Sequence, residues 1–345
     1  MRTSGRASGA SAVEGRRQKS SGHPWGSASP LVVIVGPTAV GKTGLALHLA
    51  EHLDGEVISA DSRSFYRGMD IGTAKPTPEE RASIPHHLID IADPDETVSL
   101  AEYQDRAYAA IDDILTRGRL PLLVGGTGQY VQAVVEGWRI PRVAPHPDLR
   151  EQLEARAEHE SPYALHDWLE CLDAEAAEDI HPHNVRRVVR ALEVCLVTGR
   201  PISEQQGKEP PPYEILQIGL TMDRDRLYER CDVRLERMIE AGLLDEVSTL
   251  LEQGYDWHLP AMSAVGYAEL EPLFRGQRAA RETDEKALNE AKDEIRSNLH
   301  RFIRHQYNWF SLDDPKIHWF DADTITHEEI EGFVREWLGD LASSS

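Results

Sequence analysis

The chain has 345 residues, 40% of them hydrophobic, and a formal net charge of −22, which suits one large domain or a core domain with a substantial insert. No run approaches the roughly eighteen uncharged apolar residues of a membrane span, and no apolar segment follows the N-terminal arginines as in a secretory signal, so a cytoplasmic protein with no membrane partner is expected, working as a monomer. The three cysteines, Cys171, Cys195 and Cys231, form no Cys-x-x-Cys pair, which excludes a disulfide framework and a cysteine zinc site.

Residues 1–29 are mainly Ser, Gly, Ala and Arg and carry +4; they are too polar to bury a core and are expected to be a disordered tail. The rest carries −26, with lysine only at Lys42, Lys75, Lys208, Lys286, Lys292 and Lys316. Such an acidic body argues against nucleic-acid binding, since phosphate contacts need Lys and Arg. It also matches proteins that work in concentrated salt, in which case a nucleic-acid site must be a local arginine cluster.

The first ordered element is Leu31–Val35, an apolar β-branched run without alternation, read as a strand buried on both faces of a parallel sheet. It enters Gly36-Pro37-Thr38-Ala39-Val40-Gly41-Lys42-Thr43, followed by a helix through Leu45, Leu49 and Leu53 and a second strand, Glu56–Ser59. This strand–loop–helix context turns G-x-x-x-x-G-K-T into a phosphate-binding loop: backbone N–H groups surround phosphate oxygens, Lys42 neutralises the outer phosphate, and the Thr43 hydroxyl is placed for Mg²⁺. The second strand ends at Asp61, on the sheet edge where α/β folds bind ligands; a carboxylate there can hold Mg²⁺ or accept a proton.

A helix follows over Leu100–Leu115, then a buried strand Leu120–Val124 running into Gly125-Gly126-Thr127. No hydrophobic strand ends in the Asp-Glu of an ATPase, which favours group transfer over hydrolysis. After Pro141, Pro145 and Pro147 the pattern becomes helical, with no strand signal until about Ile215, so residues 140–213 are read as a helical insert between core segments 30–139 and 214–345. Within it Arg186, Arg187 and Arg190 form a basic cluster on helical spacing, suited to phosphate contact, and Val188 and Val189 are available for the buried side. His181-Pro-His183 has metal-ligand spacing but no evident third ligand, and the tryptophans read as packing residues. The core resumes with a strand at Glu214–Leu220, a helix from Arg226 to Glu252, a helix from Asp284 to Phe310, a strand at Ile317–Phe320 and a C-terminal helix. The fold class is therefore α/β, with a P-loop NTPase-like parallel sheet core and a helical insertion domain.

The phosphate loop, Ser59–Pro76 (SADSRSFYRGMDIGTAKP), Pro85–Asp90 (PHHLID), Val124–Tyr130 (VGGTGQY), Arg186–Glu193 (RRVVRALE) and Ser263–Tyr267 (SAVGY) together resemble the bacterial tRNA dimethylallyltransferase family over about residues 30–322. The resemblance implies transfer of a dimethylallyl group from dimethylallyl diphosphate to the N6 amine of adenosine 37, beside the anticodon, in tRNAs reading codons that begin with U. It implies that residues Gly36 to Thr43 hold the donor diphosphate with Mg²⁺ on Thr43, that Asp61 is the general base, and that Thr38 and Thr127 lie near the diphosphate and the reacting nucleotide. Arg230 matches a diphosphate-binding arginine, with Arg234 a weaker candidate. Asp61, Ser62, Arg63, Ser64, Thr127, Arg150, Arg186, Arg187, Val188, Val189 and Arg190 fall in segments that resemble contacts to the tRNA anticodon stem-loop. His305 stands where a second basic residue is expected, and the lack of cysteines after Cys231 implies the bacterial type without a zinc finger. The residues also leave room for a small-molecule or nucleoside kinase, an adenylate isopentenyltransferase, or a regulatory nucleotide-binding protein in which Asp61 is structural.

Overall fold

The structure is a computed structural model and describes residues 25, 28–274 and 285–343. Its centre is a six-stranded, wholly parallel sheet. Four strands come before the insert: β1 (Pro30–Val35), β2 (Gly55–Ser59), β3 (His86–His87) and β4 (Leu120–Val124). After a short pair, β5 (Trp138–Arg139) and β6 (Gly207–Lys208), the sheet is completed by β7 (Glu214–Thr221) and β8 (Ile317–Asp321), in the order β3-β2-β4-β1-β7-β8. All six residues of β1 are buried, because it is flanked by β4 and β7 and covered on both faces; the unbroken β-branched sequence Leu31–Val35 answers that position.

Helices α1 (Lys42–His52), α2 (Pro78–Ser83), α3 (Leu100–Thr116) and α4 (Gly128–Val135) connect the first strands. Since β4 lies between β1 and β2, the loops after all three strands meet at one carboxyl edge of the sheet. They are joined there by main-chain hydrogen bonds: the Gly125 amide donates to Ile34 O at 3.1 Å, the Ala60 amide to Val124 O at 2.8 Å and the Thr127 amide to Ala60 O at 3.3 Å. The charge of Glu56, buried within β2, is matched by Arg117, Arg119 and His87; burial alone would raise its pKa, but these hydrogen bonds bring it down to about 2.

The segment between β5 and β6 carries α5 (Pro147–His159), α6 (Pro162–Leu172), α7 (Ala174–Asp179) and α8 (Val185–Thr198) around a separate core that includes Leu153, Leu165, Leu169, Val188, Val189 and Leu192. Its two ends are clasped by the antiparallel β5–β6 pair, Trp138 opposite Lys208 and Arg139 opposite Gly207, which sequence periodicity could not register because each strand is two residues long.

Three further expectations change. The helix expected over Arg226–Glu252 is two helices, α9 (Arg224–Glu240) and α10 (Leu243–Glu252), separated at Gly242, whose φ of 99° breaks the helical path. Helices α2 and α4 and strand β3 add to the elements read from sequence. Trp25, in the segment expected to be a disordered tail, is only 8% exposed and packs in the main core; residues 1–24, 26 and 27 lie outside the described residues. The remaining helices are α11 (Glu271–Phe274), α12 (Glu285–Trp309) and α13 (His327–Ser343).

Candidate active site

The phosphate loop connects β1 to α1. The Lys42 Nζ donates back to the carbonyls of Gly36 at 2.9 Å and Pro37 at 2.7 Å, so the ammonium is enclosed by the loop it belongs to. Burial lowers its pKa from the usual 10.5 to about 8; the nearby Arg234 adds to the fall, and Asp61 opposes it. No acidic residue stands in the first turn of α1, leaving the positive end of the helix dipole free to face an anion.

Asp61 stands two residues past the last residue of β2, Ser59. Its Oδ1 accepts the Arg63 amide at 2.9 Å, a local turn bond that fixes the carboxylate where Asx side chains commonly stabilise turns. Thr127, from the loop after β4, accepts the Ser62 amide through Oγ1 at 3.3 Å. A cleft open to solvent is lined by Lys42, Thr43, Asp61, Ser64, Lys75 and His86 among others.

Gln306, a residue the sequence motifs do not single out, ties two site loops together. It is buried on α12, accepts the Thr38 amide at 2.9 Å and donates to Gly126 O at 3.0 Å. Position 126 must be glycine for this approach, because a Cβ would lie 2.2 Å from Gln306 Nε2. A glutamine 180 residues from its partner leaves no local sequence signal.

The two arginines of α9 stand differently to the phosphate loop. Arg234 reaches the phosphate loop, donating to Thr38 Oγ1 at 3.0 Å, and burial lowers its pKa. Arg230 is exposed, and its guanidinium meets Met222 Sδ at 4.0 Å. One helical turn separates them, and only the inner one points to the loop.

The block after Asp61 is organised by buried ionic groups. Lys75, its side chain 1% exposed, donates to Tyr66 O, Asp70 and Asp90 at 2.6–2.7 Å. Glu246 on α10 accepts the amides of Asp70, Ile71 and Gly72 at 2.8, 2.7 and 3.1 Å and the Tyr267 hydroxyl at 2.6 Å, linking the Ser263–Tyr267 motif to this loop. Arg63 donates to Pro260 O at 2.9 Å. Ser64, also on the cleft wall, is largely buried, its hydroxyl donating to Asp61 O at 2.9 Å and bonded to Ser59 Oγ at 2.9 Å.

In the insert, Val188 and Val189 are buried in the helical core, which corrects their inclusion among contact side chains: α8 turns them away from solvent. Arg150 and Arg190 both bind Glu193, which is 0% exposed; Arg150 makes two bonds of 2.8 Å and Arg190 one of 2.6 Å, with Arg190 also donating to Pro141 O and Val143 O. Arg186 and Arg187 are exposed at the start of α8 and form no ion pair among the described residues.

A family model described as IPP transferase matches residues 64–313. The chain belongs to the IPP transferase family. Among curated relatives of this transferase, the tRNA dimethylallyltransferase of Roseiflexus sp. (strain RS-1) is 53% identical over 310 residues, covering 90% of this chain and 99% of the relative. That of Chloroflexus aurantiacus is 56% identical over 280 residues, covering 81% and 92%. Among solved structures, the full-length tRNA isopentenylpyrophosphate transferase of Bacillus halodurans matches with a TM-score of 0.66 at 43% identity, covering 91% of this transferase and 98% of that chain. A eukaryotic dimethylallyltransferase acting on tRNA matches with a TM-score of 0.76 at 25% identity, covering 91% and 80%. The phosphate loop at residues 36–43 and Asp61 precede the first residue of the family-model match.

Proposed function

We propose that this transferase moves the dimethylallyl group of dimethylallyl diphosphate to the N6 amine of adenosine 37 in tRNAs that read codons beginning with U, acting in the cytoplasm as a monomer. The observation that carries the chemistry is the meeting of a phosphate grip and a carboxylate in one cleft, with Lys42 and Asp61 both lining it and Arg234 at the loop. In the reaction the bond from the allylic carbon to diphosphate oxygen breaks, a bond from that carbon to N6 forms, and the N6 proton passes to the Asp61 carboxylate. Loop amides, Lys42 and Arg234 stabilise the charge building on the departing diphosphate. Thr127 sets the position of the Ser62 amide beside Asp61. The adenine leaves its stack to reach the cleft, at a cost of a few kcal/mol that contacts elsewhere on the anticodon stem-loop offset.

Mg²⁺ suits this cleft, because the exposed Thr43 hydroxyl is a hard oxygen donor of the kind it takes, at the end of the loop that would hold the diphosphate. Bound there, it neutralises charge on the diphosphate. Residues 140–213 supply the tRNA-binding module, with Arg186 and Arg187 presented to the backbone phosphates and Arg150 and Arg190 holding the helices that present them.

The test is a parallel assay of purified protein with labelled dimethylallyl diphosphate and unmodified tRNA, an anticodon stem-loop, AMP, or no acceptor. Label entering tRNA and the stem-loop supports the proposal. Label entering AMP alone, or phosphate transfer from ATP to a nucleoside without prenyl transfer, overturns it.

A further inference from the structure

Two histidines of α1, His48 and His52, stand one helical turn apart and face Glu331 of α13. One ligand atom from each of the three lies within 4.8 Å of the others. We propose that this junction is a binding site for a divalent transition metal of the zinc class, with His48, His52 and Glu331 as its protein ligands.

The spacing suits the chemistry. Two imidazoles at i and i+4 project from the same side of a helix, and a carboxylate from a second helix completes a three-ligand set that leaves one tetrahedral position for water or a further side chain. Zinc–ligand bonds of ~2.0–2.1 Å place tetrahedral ligand atoms roughly 3.3 Å apart. The His48 Nε2 and Glu331 Oε2 are 2.8 Å apart, so they need to separate by only about half an ångström.

The surroundings already orient the ligands. His52 Nδ1 donates to the His48 carbonyl at 2.8 Å, which places the lone pair on Nε2, where a metal takes it. Arg335 holds Glu331 Oε1 at 2.7 Å and the His52 carbonyl at 2.8 Å, fixing the carboxylate so that Oε2 faces His48. Metal binding displaces the proton that His48 shares with Glu331, either to Nδ1 of the same ring or to solvent. His327, the first residue of α13, has its ring centroid 5.5 Å from that of His48, which makes it a candidate for the fourth position.

This site is separate from the catalytic cleft. His48 and His52 follow Thr43 by five and nine positions on α1, about 8 and 14 Å at the helical rise, and none of the three ligands lines the cleft. Imidazole ligands also select zinc-class ions over Mg²⁺. The bound ion would pin α13 to the helix whose first turn carries Lys42 and Thr43. The other histidine pair, His181 and His183, acquires no third ligand among the described residues, and His181 Nδ1 is occupied by the His183 amide at 3.2 Å.

The experiment uses untagged, chelator-stripped full-length protein, with Zn²⁺ affinity and stoichiometry measured against a chromophoric chelator and thermal unfolding followed in parallel. One tightly bound ion per chain and a raised midpoint are expected. His52→Gln, on an exposed position that leaves folding intact, and Glu331→Gln should each weaken binding more than tenfold, while a His181→Gln/His183→Gln double variant binds as wild type. Mg²⁺-supported prenyl transfer should persist in His52→Gln. Absence of binding at micromolar Zn²⁺, wild-type affinity in His52→Gln, or loss of the ion only in the double variant would overturn the site.

Discussion

At the residue scale, Asp61 and Lys42 make opposite demands on experiment. The Asp61 carboxylate accepts a turn bond from the Arg63 amide, so Asp61→Ala should lower turnover by roughly 10²–10⁴-fold while donor and tRNA affinities stay near wild type. Wild-type turnover at saturating substrates would remove it from the mechanism. Lys42 acts through its charge, and its pKa of about 8 sets the pH range. Between about 8 and 10.5 the folded chain holds fewer protons than the unfolded one, so this group makes stability rise with pH over that window; below pH 8 the cost of burying the charge is present in full. A diphosphate anion pulls the pKa back up. Inorganic diphosphate should therefore bind with proton uptake above about pH 8, with apparent affinity falling as pH rises. Calorimetry at pH 7 and 9 in buffers of different ionisation enthalpy measures this, and Lys42→Met should abolish the uptake; proton-neutral binding at pH 9 would mean that Lys42 does not meet the anion.

At the scale of elements, helices act on the site from a distance. Gln306 connects α12 to two loops, and Gln306→Leu would strand the Thr38 amide and the Gly126 carbonyl, each at a cost of about 1–3 kcal/mol. Urea unfolding should show that loss, and the KM for dimethylallyl diphosphate should rise; an unchanged KM would make α12 a support without influence on the phosphate loop. In the insert, burial would raise the Glu193 pKa, but Arg150, the His146 amide and Arg190 hold it down to about 2. A depressed carboxyl contributes stability that is complete above the usual carboxylate range and is lost as pH falls toward 2. Glu193→Gln should destabilise the insert by about 3 kcal/mol, the low end for a broken buried pair because Arg150 and Arg190 keep 37% and 32% exposure, and should flatten the acid limb of its unfolding curve. An unaltered acid limb would show that Glu193 is not the titrating group.

At the scale of the whole molecule, a chain of −22 has to hold an anionic tRNA, and the proposed function gives that task to the exposed Arg186 and Arg187. Arg186→Ala with Arg187→Ala should weaken tRNA binding and reduce the slope of log affinity against log salt by up to about two, sparing the donor. Arg190→Ala should instead lower stability, with little change in slope, since its guanidinium is spent on Glu193 and two carbonyls. A salt titration of all three proteins decides; equal slopes for wild type and the Arg186/Arg187 variant would make the cluster a surface feature only.

Local sequence determined the strand–loop–helix of residues 31–53, the buried strands and the position of Asp61, because these depend on neighbours along the chain: apolar runs, glycines and a turn-forming carboxylate. It also carried the motifs that resemble the family. What tertiary structure alone decided are the partnerships across long separations. Whether Arg230 or Arg234 meets the phosphate loop depends on how α9 is rotated, whether Arg190 faces a ligand or Glu193 depends on how α8 packs on α5, and Gln306 becomes part of the site only when α12 crosses two loops. Each outcome is a choice of direction for a side chain whose helix is legible but whose neighbours are not, since burial and hydrogen bonding are settled by packing between elements rather than by spacing within one.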